Sequence, residues 1–320
     1  MALLEINDLR TYFGTRRGPV KAVDGVSFEV EKGEAMGLAG ESGCGKTTVA
    51  LSILRLLPKN GKIIDGKIIF RDTNLIELKD DEMRDNIRWK GISLIFQGSM
   101  NAMNPVYTVR EQITEAIRLH EPKVSKDDAR QRVEKLFEMV GLEAKKIRNY
   151  PHELSGGMKQ RAMIAMAFAC NPDLLIADEP ATALDVIIQA QVLKLMRSVK
   201  SKLNLSMILI SHDLSIIAET CEKVAIMYAG KIMEYGDIVS MFKEPLHPYT
   251  KALIDAFPNI HSPTTTMVSL GGNPPDLLSP PSGCRFHPRC RYGMEICRKK
   301  EPPLLKVGGG LHKVACHVVN

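Results

Sequence analysis

Along the first 240 residues the apolar positions alternate between two rhythms. Short runs or period-two stretches read as strands: "LLEINDL" (3–9), "VSFEV" (26–30), "EAMGLAG" (34–40), "ISLIFQ" (92–97), "DLLIADE" (173–179), "SMILIS" (206–211) and "KVAIMYAG" (223–230). Between them lie stretches with helical spacing. "KTTVALSILRLL" predicts an amphipathic helix ending before Pro58, and residues 108–140 read as helical, with Ser125 and an acidic first turn opening "SKDDARQRVEKLFEMV". "KIIDGKIIF" (62–70) reads as a hairpin around Asp65-Gly66. Repeated strand–helix order predicts a largely parallel sheet covered on both faces, interrupted by a helical block at about 98–165. Beyond residue 240 the rhythm fades. "KEPLHPYTKALIDAFP" can form one more helix, and "GGNPPDLLSPPSG" then suggests a tail with little periodic structure, so a domain boundary is expected near 240, with 241–320 as an extension.

Composition changes this picture little: 44% hydrophobic and 25% charged residues are ordinary for a soluble globular chain. The net charge of +6 owes much to Arg285, Arg289, Arg291, Arg298, Lys299 and Lys300, which read as a solvated basic face. No recognition motif accompanies them, so nucleic acid is not an expected partner. No uncharged run reaches the length of a membrane span, and "AMIAMAFACNP" reads as a buried helix. "MALLEINDLR" lacks a signal pattern, so a cytoplasmic location is expected, with any membrane role exerted through partners.

The chemistry is concentrated in a few motifs. "GESGCGKT", Gly40 to Thr47, fits the phosphate loop and sits between a predicted strand and a predicted helix. Gly40, Gly43 and Gly45 let the backbone wrap phosphates, Lys46 reaches the β- and γ-phosphates, and the Thr47 hydroxyl suits Mg²⁺. Ser42, Cys44 and Thr48 complete the expected ATP contacts of the loop and first helical turn. "LLIADEP" ends a buried strand on two acids, with Asp178 placed to hold Mg²⁺ through water and Glu179 to polarise an attacking water. "LSGGMKQ" (154–160) is a second stretch of free backbone amides ahead of a helix, again suited to phosphate.

These motifs, followed by "TALD" and "SHD", resemble in order and spacing the ATP-binding-cassette (ABC) ATPases, over residues 1–240. The resemblance implies an α/β P-loop NTPase fold of ABC ATPase type: a RecA-like core with an antiparallel β subdomain and an inserted α-helical subdomain. It also implies roles that spacing does not supply. Gln97 senses the γ-phosphate and metal, and His212 contacts the γ-phosphate, so Glu179, His212 and Gln97 form the expected catalytic set. Thr47, Gln97 and Asp178 are the implied Mg²⁺ residues, and Phe13, or its neighbour Tyr12, stacks on adenine. Two cassettes pack head to tail, so Ser155, Gly156, Gly157, Gln160 and Asp185 serve the ATP held by the partner. The segment "QGSMNAMNPVYTV" after the sensor carries Met100 and Met103, either packing the helical insert or forming an adaptable contact with a membrane subunit.

Cys284, Cys290, Cys297 and Cys316 crowd the tail, whereas Cys44, Cys170 and Cys221 are scattered. Four cysteines in a cytosolic chain suit structural zinc or a [4Fe–4S] cluster, and spacing alone does not separate the two. His287, His312 and His317 are nearby alternative ligands. "PLHPYTKALIDAFP", "GCRFHPRC" and "ACH" resemble the C-terminal extension of ATP-binding subunits of dipeptide and oligopeptide permeases. That resemblance implies a [4Fe–4S] cluster on the four cysteines, with adjacent basic residues offsetting its charge. It further implies an importer on the cytoplasmic face of the membrane, with two membrane permease subunits, an extracytoplasmic solute-binding protein and a second, non-identical ATPase. Oligosaccharides or nickel chelates are alternative cargoes. A soluble ABC ATPase acting on nucleic acid or ribosomes is the alternative of another class; the tandem cassettes or long coiled-coil insertion typical of those chains are not seen here.

Overall fold

A computed structural model of the chain describes residues 2–98, 102–182, 184–256 and 271–319, with only the backbone of Ala144. In chain order the strands and helices are β1 (Ala2–Thr15), β2 (Gly18–Glu31), β3 (Ala35–Ala39), α1 (Lys46–Ile53), β4 (Gly61–Phe70), β5 (Thr73–Asn74), the single turn α2 (Asp80–Glu82) and β6 (Ile92–Ile95). Then come α3 (Val109–His120), α4 (Lys126–Met139), α5 (Gly156–Ala167), β7 (Leu174–Asp178), α6 (Val186–Leu203), β8 (Ser206–Ser211), α7 (Leu214–Thr220), β9 (Lys223–Tyr228) and β10 (Lys231–Asp237). The chain closes with α8 (Ile238–Lys243), α9 (Pro248–Asp255), α10 (Glu295–Lys299), β11 (Leu305–Lys306) and β12 (Lys313–Val314).

Two compact units result. The first takes residues 30–35 and 77–210 with the start of β1, and the second takes residues 4–29, 36–76 and 211 onward. The sequence boundary at 240 falls inside the second unit.

In the first unit β6, β7 and β8 pair in parallel, with Ile92 opposite Leu174 and Leu174 opposite Ser206. Every residue of β7 and β8 is buried, the mark of central parallel strands covered on both faces. Helices α3, α4 and α5 form the expected helical block, and side chains cap each of them. Thr108 accepts from the Glu111 amide, Ser125 from Asp128 and Ser155 from Met158. Of the methionine segment, Met100 lies outside the described residues, and Met103 is buried, which favours packing over an exposed contact at that position.

In the second unit an antiparallel sheet runs β2-β1-β4-β5. β4 is one continuous strand, where the sequence suggests a hairpin. Gly66, at φ +103°, faces a register shift in β1 next to Asp8, so Asp65-Gly66 builds a bulge against β1 instead of a turn. Helix α1 stops at Ile53, four residues short of the expected end, because Arg55 takes a left-handed conformation (φ 52°). β3 pairs in parallel with β9, and β9 pairs antiparallel with β10. The tail is more ordered than its composition suggests. β12 adds to β10, with Glu234 opposite Val314, and β11 pairs with β12.

Candidate nucleotide site

The second unit carries the phosphate loop. β3 is fully buried and delivers Gly40, and α1 begins at Lys46. Gly40 and Gly45 have φ of +144° and +109°, and a Cβ on them would lie 2.1 Å from the Met227 oxygen and 2.2 Å from the Ala22 oxygen. The loop therefore lies directly on neighbouring backbone, which only glycine permits. Lys46 is buried, and its ammonium donates to the Gly40 carbonyl at 2.6 Å and the Glu41 carbonyl at 3.0 Å. Ser42, Gly43 and Thr47 are exposed, and Thr48 is half-buried. Cys44 is buried, and that burial pushes its thiol up from the ordinary range. His212, exposed, follows β8, next to Asp213, which caps α7.

The expected adenine-facing aromatics have different surroundings. The Tyr12 hydroxyl donates to Asp24 at 2.6 Å, while the Phe13 ring packs on Gly61, where a Cβ would meet it at 2.7 Å. Asp24 also accepts from Arg10 at 3.2 Å and pairs with Arg285, whose guanidinium is buried. Burial pulls the Asp24 carboxyl up, but the Tyr12 bond and the charges of Lys231, Arg285 and Arg10 hold it below the usual carboxylate range.

The first unit carries the acids. Asp178 ends β7 and is 2% exposed, and Glu179 follows in a left-handed conformation (φ 47°) unusual for a non-glycine residue. Backbone strain of this kind costs ~1–3 kcal/mol and persists where surrounding contacts impose it. Here the Glu179 amide donates to the Ile210 carbonyl at 2.9 Å. One carboxylate oxygen of Glu179 accepts from the Gln97 amide at 2.8 Å and from the Thr182 hydroxyl at 3.0 Å. Two expected catalytic residues, 82 positions apart, are thus brought together. Thr182 opens the "TALD" motif, which the sequence offers only for Asp185; the part of its hydroxyl on Glu179 is set by the turn after β7.

The same unit holds the "LSGGMKQ" segment. Ser155 and Gly156 are exposed at the start of α5, and Ser155 caps the helix by accepting from Met158 at 3.4 Å. Gly157 packs closely on α6, since a Cβ there would lie 2.8 Å from Ile188 Cγ2. Asp185 is exposed and caps α6 through the Ile188 amide at 3.0 Å. Gln160 differs from its expected neighbours: it is 2% exposed and faces the interior of the unit.

In the tail, Cys284, Cys297 and Cys316 are buried and Cys290 partly so. Burial raises the Cys284 thiol to about 11, with the other three cysteines adding to the shift, and Cys290 and Cys316 are also raised, chiefly by burial. Among the described residues no three His, Cys, Asp or Glu side chains form a group able to hold a metal ion, so neither the zinc alternative nor the expected [4Fe–4S] cluster on Cys284, Cys290, Cys297 and Cys316 finds a formed donor set. The alternative histidine ligands are engaged elsewhere: His287 with the Cys284 carbonyl, His312 with Glu234 and His317 with the Lys300 carbonyl. The expected solvated basic face is partly internal. Arg285 is 4% exposed, and the Arg289 side chain 7%. Both turn toward acids of the second unit, Asp24 and Glu41, and neither is committed to offsetting charge on the cysteines.

Comparison with known proteins agrees with this geometry. Residues 23–182 match the ABC transporter family, and residues 233–297 match the oligopeptide/dipeptide transporter C-terminal region. A probable peptide ABC transporter ATP-binding protein of Sinorhizobium fredii is 45% identical, covering 98% of this chain and 94% of its own. The dipeptide transport ATP-binding protein of Bacillus subtilis is 46% identical over 94% of this chain and 90% of its own. Among solved structures, a dimeric bacterial ABC transporter cassette superposes with a TM-score of 0.65 at 25% identity, over 73% of this chain and 98% of that one. Among the described residues no helix is long and apolar enough to cross a membrane.

Proposed function

This chain belongs to the ABC transporter ATP-binding family, with the oligopeptide/dipeptide-type C-terminal region, and from that premise we propose that it hydrolyses ATP to energise uptake of dipeptides or oligopeptides. The observation that carries the reading is the union, in one chain, of a complete ATPase motif series with that C-terminal region. The cargo class follows from relatives named for dipeptide and oligopeptide transport. The subunit acts peripherally on the cytoplasmic face of the membrane, with two permease subunits, a solute-binding protein and a second cassette.

In this reading Lys46 and the loop amides hold the β- and γ-phosphates, and Phe13 or Tyr12 stacks on adenine. Glu179, steadied by Gln97 and Thr182, polarises the attacking water. His212 contacts the γ-phosphate. Thr47, Gln97 and Asp178 offer hydroxyl, amide and carboxylate oxygens, a donor set that suits Mg²⁺, which when bound neutralises phosphate charge. The exposed Ser155, Gly156 and Asp185, with the half-buried Gly157, cap the γ-phosphate of a partner cassette, as the dimeric relative suggests by its own assembly. ATP then bridges two cassettes, so binding closes the pair and hydrolysis releases it.

The four tail cysteines carry a finer proposal, a [4Fe–4S] cluster, supported by their grouping in one module in which each raised thiol feels its neighbours. Iron and acid-labile sulfide assays on anaerobically purified protein test this.

The main reading is tested by recovering the tagged chain from gently solubilised native membranes and identifying its companions by mass spectrometry. Two membrane subunits, a second cassette and peptide-dependent ATP hydrolysis are expected. Ribosomes or nucleic-acid proteins in their place would overturn the importer assignment.

A further inference from the structure

The phosphate loop is held from outside at Glu41. Its amide donates to the Tyr249 hydroxyl at 3.0 Å, and its carboxylate receives two bonds from Arg289, at 2.7 and 2.9 Å. Tyr249 lies in α9 and Arg289 lies between Phe286 and Cys290 in the tail, so both come from the part of the chain beyond the nucleotide motifs. They form one block. Arg289 also donates to the Tyr228 hydroxyl at 3.2 Å and lies over that ring, and the Tyr228 ring meets Tyr249 edge-on at 4.8 Å. Phe286 closes the cluster, 5.2 Å from Tyr228 and 5.3 Å from Tyr249.

We propose that Tyr249 and Arg289 are positioning residues for ATP binding: by gripping Glu41 they set the orientation of the Gly40–Glu41 peptide and, through it, of Lys46. The geometric reason is peptide planarity. The Glu41 amide hydrogen and the Gly40 carbonyl oxygen belong to the same plane and point in opposite directions. Fixing the amide on Tyr249 therefore fixes the carbonyl, and that carbonyl accepts from Lys46 Nζ at 2.6 Å. A loop with three glycines has little internal restraint, so an external one has much to act upon. Within "GESGCGKT" Glu41 is the sole carboxylate and so the sole residue that offers a paired grip to a guanidinium. A second contact from the same module points the same way. Arg285 donates to the Ala229 carbonyl, and the next residue, Gly230, donates its amide to the Cys44 carbonyl of the loop at 2.8 Å.

This inference rests on the ATPase reading above and assigns the C-terminal region a part in its site. Steady-state ATP titration of the assembled transporter tests it, together with equilibrium binding of a fluorescent ATP analogue to the purified chain. Losing a charged, paired bond of this kind in Arg289→Gln is expected to raise KM for ATP about tenfold with kcat changed less than about twofold. Glu41→Gln should match it, and the double variant should be no worse than either single one. Arg289→Lys should recover part of the affinity, since it restores charge without the paired geometry. Tyr249→Phe, which leaves the Glu41 amide without its acceptor, should also raise KM.

If the ion pair only fastens the tail, the variants will melt earlier yet bind ATP normally, and the proposal fails. Additive effects in the double variant would overturn it equally. Should Arg289→Gln not fold, the near-isosteric Glu41→Gln decides the question. Lys46→Ala is the control: if it binds the analogue as well as the native chain does, the ATPase reading itself is wrong, whereas loss of binding there with unaltered clamp variants rejects the clamp alone.

Discussion

The two stretches proposed to bind phosphate in this chain are built differently. The loop at Gly40–Thr47 is anchored by its own unit: Gly40 and Gly45 lie on the Met227 and Ala22 carbonyls, Lys46 is buried, and Glu41 is gripped from outside, while Ser42, Gly43 and Thr47 stay exposed. In the stretch at Leu154–Gln160 only the head is open, with Ser155 and Gly156 exposed under a single hydroxyl cap, whereas Leu154 and Gln160 are buried. The difference teaches what each requires. A loop anchored in this way is shaped by its own chain, so its defects should appear in the isolated subunit. The exposed head of α5 carries no comparable ion-pair grip, and its defects should appear when a second surface is present.

The sharpest separation is expected from two glycine-to-alanine changes. Gly45→Ala adds a Cβ 2.2 Å from a backbone oxygen at a φ of +109°, so ATP binding by the isolated chain should be lost. Gly157→Ala meets only a methyl of Ile188 at 2.8 Å, so binding should persist while turnover of the assembled complex falls. Equal loss of binding in both variants would end the contrast.

Next in size is Glu179→Gln. With the proposed general-base role of this carboxylate removed, turnover should drop about 10²–10⁴-fold while ATP affinity in equilibrium binding is kept. Ser155→Ala removes the α5 cap and should lower stability by about 0.5–2 kcal/mol in denaturant melts. It should also slow turnover of the complex without weakening ATP binding to the isolated chain.

The last test concerns pH. His247 is buried, and that burial pushes its pKa down to about 3 from 6.5. Its Nδ1 accepts from the Tyr249 amide, so the neutral ring helps set the clamp block. Between these two values the unfolded chain binds a proton that the folded chain refuses, so stability present above about 6.5 is lost progressively as pH falls toward 3. Thermal melts across that window should show a falling midpoint, with a shallower fall in His247→Asn. An unchanged slope in that variant would assign the pH dependence to other groups.

Much of this was legible in the chain itself. The strands carry their own patterns, because burial on both faces of a parallel sheet demands unbroken apolar runs such as "LLIAD". Helix starts were legible at Ser125 because a capping hydroxyl acts over only three residues. The hairpin reading of "KIIDGKIIF" failed for a reason of the same kind inverted: Asp-Gly permits a turn locally, but pairing with β1 across the sheet decided for a bulge.

The motif glycines, Lys46, Asp178 and Glu179 were determined by local chemistry, since phosphate and water contacts require particular residue types at fixed short spacing. Tertiary structure alone decided the rest. It placed Gln97 on Glu179, turned Gln160 inward, and carried Arg289 across 248 positions to Glu41. An arginine in a basic run looks the same from its neighbours whether it faces water or an acid. Which it faces depends on the approach of distant segments, and that approach is set by the packing of the whole unit.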